Sequence, residues 1–261
     1  MTIIKLGGSV ITHKDKVPPQ INAKILNHIT DELAECDDNL IIVLGGGSYG
    51  HQTAHQYGYG NQNTPKERLF EGIGPIRDSM IELSTKVNHE FNKKKIKSIV
   101  LPPFTHVLLN NQQITSYSTE IIERSLNSGY RVITHGDVCF DDSLGASILS
   151  GDTIISYLAK HLHADKILIG TNVDGVLEEN PDTNPNAKHI PIITQSNMSE
   201  ILQLAGTSNT TDVTGGMHRK ITELIDLAEA SVKVYIFNLT VPGRLESLIR
   251  DKQTICTIVS L

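Results

Sequence analysis

The sequence predicts an α/β fold in which helices cover both faces of a mainly parallel central sheet. Three observations predict it. Short β-branched apolar runs alternate with stretches of helical spacing along the chain. Four of these runs stop at glycine turns: Gly7-Gly8, Gly45-Gly46-Gly47, Gly136-Asp137 and Gly170. A length of 261 residues suits one large α/β domain or two closely joined lobes. Alternating strands and helices require crossover connections, which make neighbouring strands parallel. Ligands of such sheets bind at the carboxyl ends of the strands. The glycine-marked ends therefore predict one shared, phosphate-rich site.

The elements follow in order. Residues 3–6 read as a buried strand ending at Gly7-Gly8-Ser9. Over residues 21–33, Ile21, Ile25, Leu26, Ile29 and Leu33 fall on one helical face. Residues 40–44 form a second strand. Residues 66–91 read as one long helix or two, with Ile76, Met80, Leu83 and Val87 at helical spacing. A strand over 99–101 is stopped by Pro102-Pro103, and a helix over 119–126 precedes a strand over 131–134 that ends at His135-Gly136-Asp137. A helix over 152–162, a strand over 166–169, a helix over 214–230 and a strand over 232–237 follow. A short helix over 245–249 and a strand over 254–259 come last. A coarse boundary lies near residue 160.

Composition narrows the partners. Trp is absent, so Ile, Leu and Val must build the core. A net charge of −6 and a pI near 6.0 argue against nucleic acid as the main partner. Cys36, Cys139 and Cys256 show neither a disulfide framework nor zinc spacing, and a reducing cytoplasm is expected. "MTIIKLGGSV" reaches glycine too soon for an apolar leader segment, and no stretch approaches the length of a membrane span. Neither export nor membrane insertion is expected.

The glycine loops invite two readings. Gly45-x-Gly47-x-x-Gly50 fits a dinucleotide fingerprint. That fingerprint needs an acid at the end of the next strand, roughly 20 residues on. The next strand instead ends at "LPPF", and the context fails. No P-loop motif is present either. In "KLGGSVITHK", Lys5 lies on the first strand directly before two glycines, with Lys14 a short way beyond. An unpaired ammonium is costly inside a sheet. Beside backbone-amide turns it suits phosphoryl transfer, whose catalysis is mostly positioning and charge neutralisation. Lys14 reads equally as a solvated loop charge.

At this point the motifs "IIKLGGSVIT", "LGGGSYGH", "HGDV", "ILSGDTI", "TNVDGV" and "TDVTGGMHRK" resemble the amino-acid-kinase superfamily, in its order and over nearly the whole chain. Within it the chain is most similar to the isopentenyl phosphate kinases, through His51 after "GGGSYG", "HGDVCFD" and "SILSGD". The resemblance implies an open αβα sandwich with residues 1–160 as the acceptor lobe and 161–261 as the nucleotide lobe of one compact catalytic domain. It implies ATP-dependent phosphorylation of isopentenyl phosphate to the diphosphate, with Mg²⁺ but no protein metal ligand, in a cytoplasmic homodimer. Lys5, Lys14 and Lys220 would contact the ATP phosphates, with Gly8, Ser9 and Gly216 at their turns. Thr171, Asp174 and Gly175 would line the nucleotide pocket. Gly46, Gly47, Gly50 and His51 would hold the acceptor phosphate, with Ser150-Gly151 close by. Asp152 would hold Lys5 and Lys220 in place. Cys256 and Asn172 depart from the family pattern, which usually has glycine and an acidic residue there.

The physics agrees with this assignment. Two phosphate dianions must approach in line, and lysines, an imidazole, Mg²⁺ and helix N-termini offset their repulsion. Alternatives stay open on residues alone. His51 also fits a surface histidine, Asp152 a helix cap and Asp174 a turn residue. A kinase for a fosfomycin-type phosphonate, a nicotinamide-dependent dehydrogenase and a non-catalytic regulator compete as functions. Ile76, Met80 and Ile81 are candidate walls for an isoprenoid tail, or ordinary core.

Overall fold

The computed structural model describes residues 1–36, 39–61, 63–179, 184, 186–206 and 232–260. Its strands are β1 (Thr2–Leu6), β2 (Leu40–Leu44), β3 (Ser98–Val100), β4 (Val107–Asn110), β5 (Gln113–Tyr117), β6 (Arg131–His135) and β7 (Asp137–Asp141). They continue with β8 (Gly145–Leu149), β9 (Lys166–Thr171), β10 (Val176–Leu177), β11 (His189–Ile190), β12 (Ile192–Ile193), β13 (Lys233–Asn238) and β14 (Thr257–Val259). The helices are α1 (Gly8–Ile11), α2 (Ala23–Ala34), α3 (Gly47–Gln56), α4 (Lys66–Lys93), α5 (Glu120–Asn127), α6 (Gly151–His161) and α7 (Met198–Gly206), followed by a closing helix at Arg244–Ile249.

Eight strands form the main sheet in the order β12-β14-β13-β9-β1-β2-β6-β3. Every pairing is parallel except β13 with β14. Strands from both sides of residue 160 thus share one sheet. β2 is buried along its whole length, as expected of a strand covered on both faces. Its side chains alternate between two cores. Ile41 and Val43 join Ile3, Ile167 and Ile169 in one, with Ile154, Ile155 and Leu158 of α6. Ile42 and Leu44 join Ile4, Leu6 and Leu168 in the other, with Leu26 and Leu33 of α2 and Met80, Leu83 and Val87 of α4. A strand turns its side chain every second residue, so Lys5 shares the α6 face with Ile3.

Boundaries shift by local chemistry. The helix expected over 21–33 starts at Ala23, because Asn22 caps it through Ile25 N and Ile21 pairs with Thr12 in an isolated bridge. α4 is one helix despite Pro75 in its interior. Buried Ile76, Met80, Leu83, Val87 and Phe91 seat it on the core side across several turns. The last strand is only Thr257–Val259. The helix expected over 214–230 lies outside the described residues. No helix among the described residues is long and apolar enough to cross a membrane.

The sequence reading lacked α3, α7 and a whole second sheet, ordered β5-β4-β7-β8. Asp141 organises it. One carboxylate accepts from the amides of Asn111, Gln112, Ser143 and Leu144 and from the Ser147 hydroxyl. Two turns therefore depend on one side chain. Asp141→Ala should cost on the order of 1–3 kcal/mol, because the buried Ser147 hydroxyl loses its acceptor while the amides of the exposed turn residues can turn to water. Denaturant titration of the variant beside wild type checks this.

Candidate active site

The glycine-marked ends belong to four adjacent strands, β9-β1-β2-β6, and each turn is tied to the next strand. Gly7 N donates to Gly170 O at 3.1 Å, Gly45 N to Leu6 O at 2.9 Å, and Gly136 N to Leu44 O at 3.1 Å. Two turns come into backbone contact. A Cβ on Gly8 would lie 2.2 Å from the Gly47 nitrogen, and one on Gly45 2.6 Å from the Gly8 nitrogen. Only glycine permits that approach, and Gly47 in addition has φ +51°. Thr12 staples the contact. Its hydroxyl donates to Gly8 O at 2.7 Å and accepts from Ser48 N at 3.1 Å. α3 opens here with Gly46 as its cap and no side-chain acceptor. The positive end of the helix therefore faces the shared edge, a geometry that suits an anion.

Lys5 comes to the same edge. Its ammonium lies 2.5 Å from Asp152 Oδ1 in the first turn of α6, and both side chains are 13% exposed. A nearly buried ammonium needs such a partner. Asp152 is not the cap of its helix. Ser150 is, accepting from Thr153 N at 3.0 Å. Gly151 faces Lys5, since a Cβ there would lie at ordinary contact distance from Val43, at 3.4 Å, and from Lys5 Cε, at 3.9 Å. Gly50 and His51 follow on α3, with His51 exposed. Lys14 and Ser9 are exposed as well. The loop carrying Lys14 is closed by the Thr12–Ile21 bridge and touches α3 through Gln52 Nε2 and Lys16 O at 3.4 Å. Gly216 and Lys220 lie outside the described residues.

On the β9 side the residues are busy structurally. Thr171 Oγ1 donates to Val173 O at 2.9 Å. Gly175 packs so closely that a Cβ would lie 2.3 Å from Thr257 Oγ1. Asp174 is more than a turn residue. It accepts from Arg244 Nη1 at 2.7 Å and Asn238 Nδ2 at 3.2 Å. Burial works to raise its pKa, but these two donors outweigh it and hold the carboxyl below its ordinary range. Arg244 was not singled out from the sequence. Its i-to-i−70 pairing leaves no local signal.

Met80 sits under the glycine turn that opens α3. Its sulfur would be 3.7 Å from a Cβ on Gly46 and 3.1 Å from one on Gly50. Ile76 belongs to a small separate cluster with Ala54, Tyr59, Val138 and Ala146, flanked by Ile73 and Ile148. Ile81 does not join this wall. One residue past Met80 the helix has turned by about 100°, and Ile81 is 37% exposed. Also beside this wall is an ion pair the sequence reading missed. The Asp137 carboxyl is fully buried, with Oδ2 3.9 Å from Arg77 Nε.

An α/β sheet whose strand ends gather touching glycine turns, an open helix N-terminus and a carboxylate-held lysine defines a phosphotransferase. The amino acid kinase family profile matches residues 1–238, and the chain belongs to the amino acid kinase family. Among its relatives, the isopentenyl phosphate kinase of Methanothermobacter thermautotrophicus is 34% identical over 94% of both chains. That of Methanocaldococcus jannaschii is 33% identical over 85% of both. A crystal structure of isopentenyl phosphate kinase superposes with a TM-score of 0.85 at 29% identity, covering 99% of each chain. The dehydrogenase reading is thereby overturned: Gly45-x-Gly47-x-x-Gly50 opens α3 of a kinase.

Asp137 generates a stability prediction. Burial, opposed by the Val138 amide and Arg77, raises its pKa to about 7. A carboxyl raised in the folded state contributes stability at low pH that is lost as pH climbs from about 4 through about 7. Asp137→Asn has no such ionisation. Its Tm relative to wild type should rise over that window and level above it, as thermal melts across pH will read.

Proposed function

We propose that this kinase transfers the γ-phosphoryl group of ATP to isopentenyl phosphate, giving isopentenyl diphosphate and ADP. The observation that carries the phosphoryl-transfer part is the Lys5–Asp152 pair at 2.5 Å beside the touching Gly8 and Gly47 turns. The acceptor is supported by 34% identity to an isopentenyl phosphate kinase over 94% of both chains. It is also supported by an apolar cluster around Ile76 that takes in Ala54 of α3.

In this reading an acceptor phosphate oxygen attacks the γ-phosphorus in line. A new P–O bond forms, and the bond to the β–γ bridging oxygen breaks as ADP leaves. Lys5, fixed by Asp152, faces the charge on the transferred group, and Lys220 joins it from the C-terminal third. Lys14 reaches the nucleotide phosphates from its loop, with Gly8 and Ser9 at their turn, and Gly216 is assigned to the same phosphates. Thr171, Asp174 and Gly175 shape the nucleotide side. Gly46, Gly47, Gly50 and His51 seat the acceptor phosphate at the start of α3, with Ser150-Gly151 across from them. Met80 floors that seat, and Ile76 meets the tail. Mg²⁺ supplies further charge neutralisation when bound. We place the enzyme in the cytoplasm as a homodimer, with residues 1–160 on the acceptor side and 161–261 on the nucleotide side. Light scattering of the purified protein tests the dimer.

A panel of small phosphates and phosphonates with ATP tests the acceptor. Isopentenyl phosphate should give the highest kcat/KM, and preference for a fosfomycin-type phosphonate would replace this reading. His51→Ala should collapse turnover while ATP binding stays near wild type, and His51→Gln should keep part of it as a neutral donor. Lys5→Ala and Lys220→Ala should each lower kcat by about 100- to 1000-fold with the fold intact, the usual cost of one charge-stabilising donor. Arginine at position 5 should rescue poorly, since its planar fork is no compact point charge. Steady-state kinetics beside thermal melts read all of these. A rise in the ATP KM alone would demote both lysines to binding groups.

A further inference from the structure

Gly136 joins the two sheets. β6 ends at His135 and β7 begins at Asp137. A Cβ on Gly136 would lie 3.2 Å from Leu149 O and 3.4 Å from Gly151 N, so this junction abuts the start of α6, which carries Asp152. Next to it lies a buried charged group that the proposed chemistry does not use. Asp137 Oδ1 accepts from its neighbour Val138 N at 2.9 Å. Oδ2 stands 3.9 Å from both Arg77 Nε on α4 and His135 Nδ1 on β6. Arg77 Nε, His135 Nε2 and Asp137 Oδ2 are buried without a hydrogen-bond partner. Arg77 is held from its other side, its guanidinium 4.0 Å over the Phe104 ring. On α4, Arg77 follows Ile76 and lies three residues before Met80, which packs under Gly46 and Gly50.

We propose that Arg77 and Asp137 are a positioning pair that fixes the α4 wall at Ile76 and Met80 against the Gly136–Gly151 edge, and so sets the seat of the acceptor. The inference rests on the acceptor site assigned above. At 3.9 Å the two groups attract across buried space but are too far apart to hydrogen-bond. The tie therefore depends on the charge of Asp137. Ionised, Asp137 draws Arg77 and α4 inward. Protonated, it leaves the wall loose. Its pKa of about 7 grades the tie across neutral pH. The other titratable groups facing it stay constant there. Burial lowers His135 to about 4 and pushes the Cys139 thiol far up, and Arg77 remains charged.

The test compares wild type, Arg77→Met, Asp137→Asn and the double variant. Kinetics use ATP and isopentenyl phosphate at about pH 5.5 and about pH 8.5, on either side of the Asp137 titration. Arg77→Met should raise the acceptor KM about ten-fold at the higher pH, as expected for a misplaced substrate, with the ATP KM and kcat near wild type. Asp137→Asn should match wild type at the lower pH and Arg77→Met at the higher. The double variant should be no worse than Arg77→Met. Comparing each variant with wild type at the same pH removes the titration of the acceptor phosphate, which all four assays share. Equal acceptor KM values throughout, or a pH-independent loss of kcat, would overturn the proposal. Thermal melts of the four proteins without substrate decide the pair separately. The Tm shifts of the two single variants, whatever their sign, should be non-additive at the higher pH and additive at the lower, and additivity at both would overturn it. Failure of wild type to turn over isopentenyl phosphate would remove the acceptor assignment while the melts still decide the tie.

Discussion

The site rests on two turns that touch through their backbones. Gly8 and Gly47 lie closer than any side chain allows, and Thr12 bonds to both turns. This contact fixes the end of β1 against the start of α3. It thereby brings the end of β1, with Lys5 one residue before it, up against the opening of α3. The alternation of β1 turns Lys5 toward α6, where Asp152 meets it. A side chain at either glycine would push the two ends apart and separate the lysine from the helix terminus at once. Charge placement here follows from backbone packing.

Much of this was legible in the chain. Buried parallel strands write themselves as apolar runs, so residues 3–6 and 40–44 were plain. Glycines at strand ends report close backbone approach, and four of them on adjacent strands foretold a common edge. The pairing of Lys5 with Asp152 followed from the family resemblance and is now visible as a contact. The second sheet was not legible. Its strands have four or five residues, only β4 alternates cleanly between buried and exposed, and their turns are held by Asp141, whose donors come from residues 111, 112, 143, 144 and 147. No local window contains that set. Arg77, Asp137 and Arg244 escaped for the same reason, because each has its meaning only through a partner distant in sequence. Asp137 even stood inside a motif, "HGDV", yet nothing in the motif says that its carboxyl is buried.

The arrangement also divides labour between stiffness and charge. The main sheet and its two cores are apolar and settled. The side proposed for the acceptor is built from α4, α3 and the second sheet, joined by a small cluster and by a buried pair that is not hydrogen-bonded. Such a pair is costly to bury and contributes little net stability. Its place beside the site agrees with a geometric duty.

The grip of Thr257 on the β9 side has a consequence for how the molecule is made. Thr257 Oγ1 accepts from Val176 N at 2.8 Å and donates to Ile190 O at 2.6 Å, and Gly175 packs against it. Arg244 holds Asp174 in the same region. Chains are synthesised from the N-terminus, and folding begins before synthesis ends. The lysine, the carboxylate and the touching glycine turns all precede residue 153, so they can assemble while the ribosome is still translating. The loop from Asp174 to Val176 must wait until residue 257 has emerged. A nascent chain can therefore gather Lys5, Asp152 and the touching glycine turns before the segment around Thr257 is made.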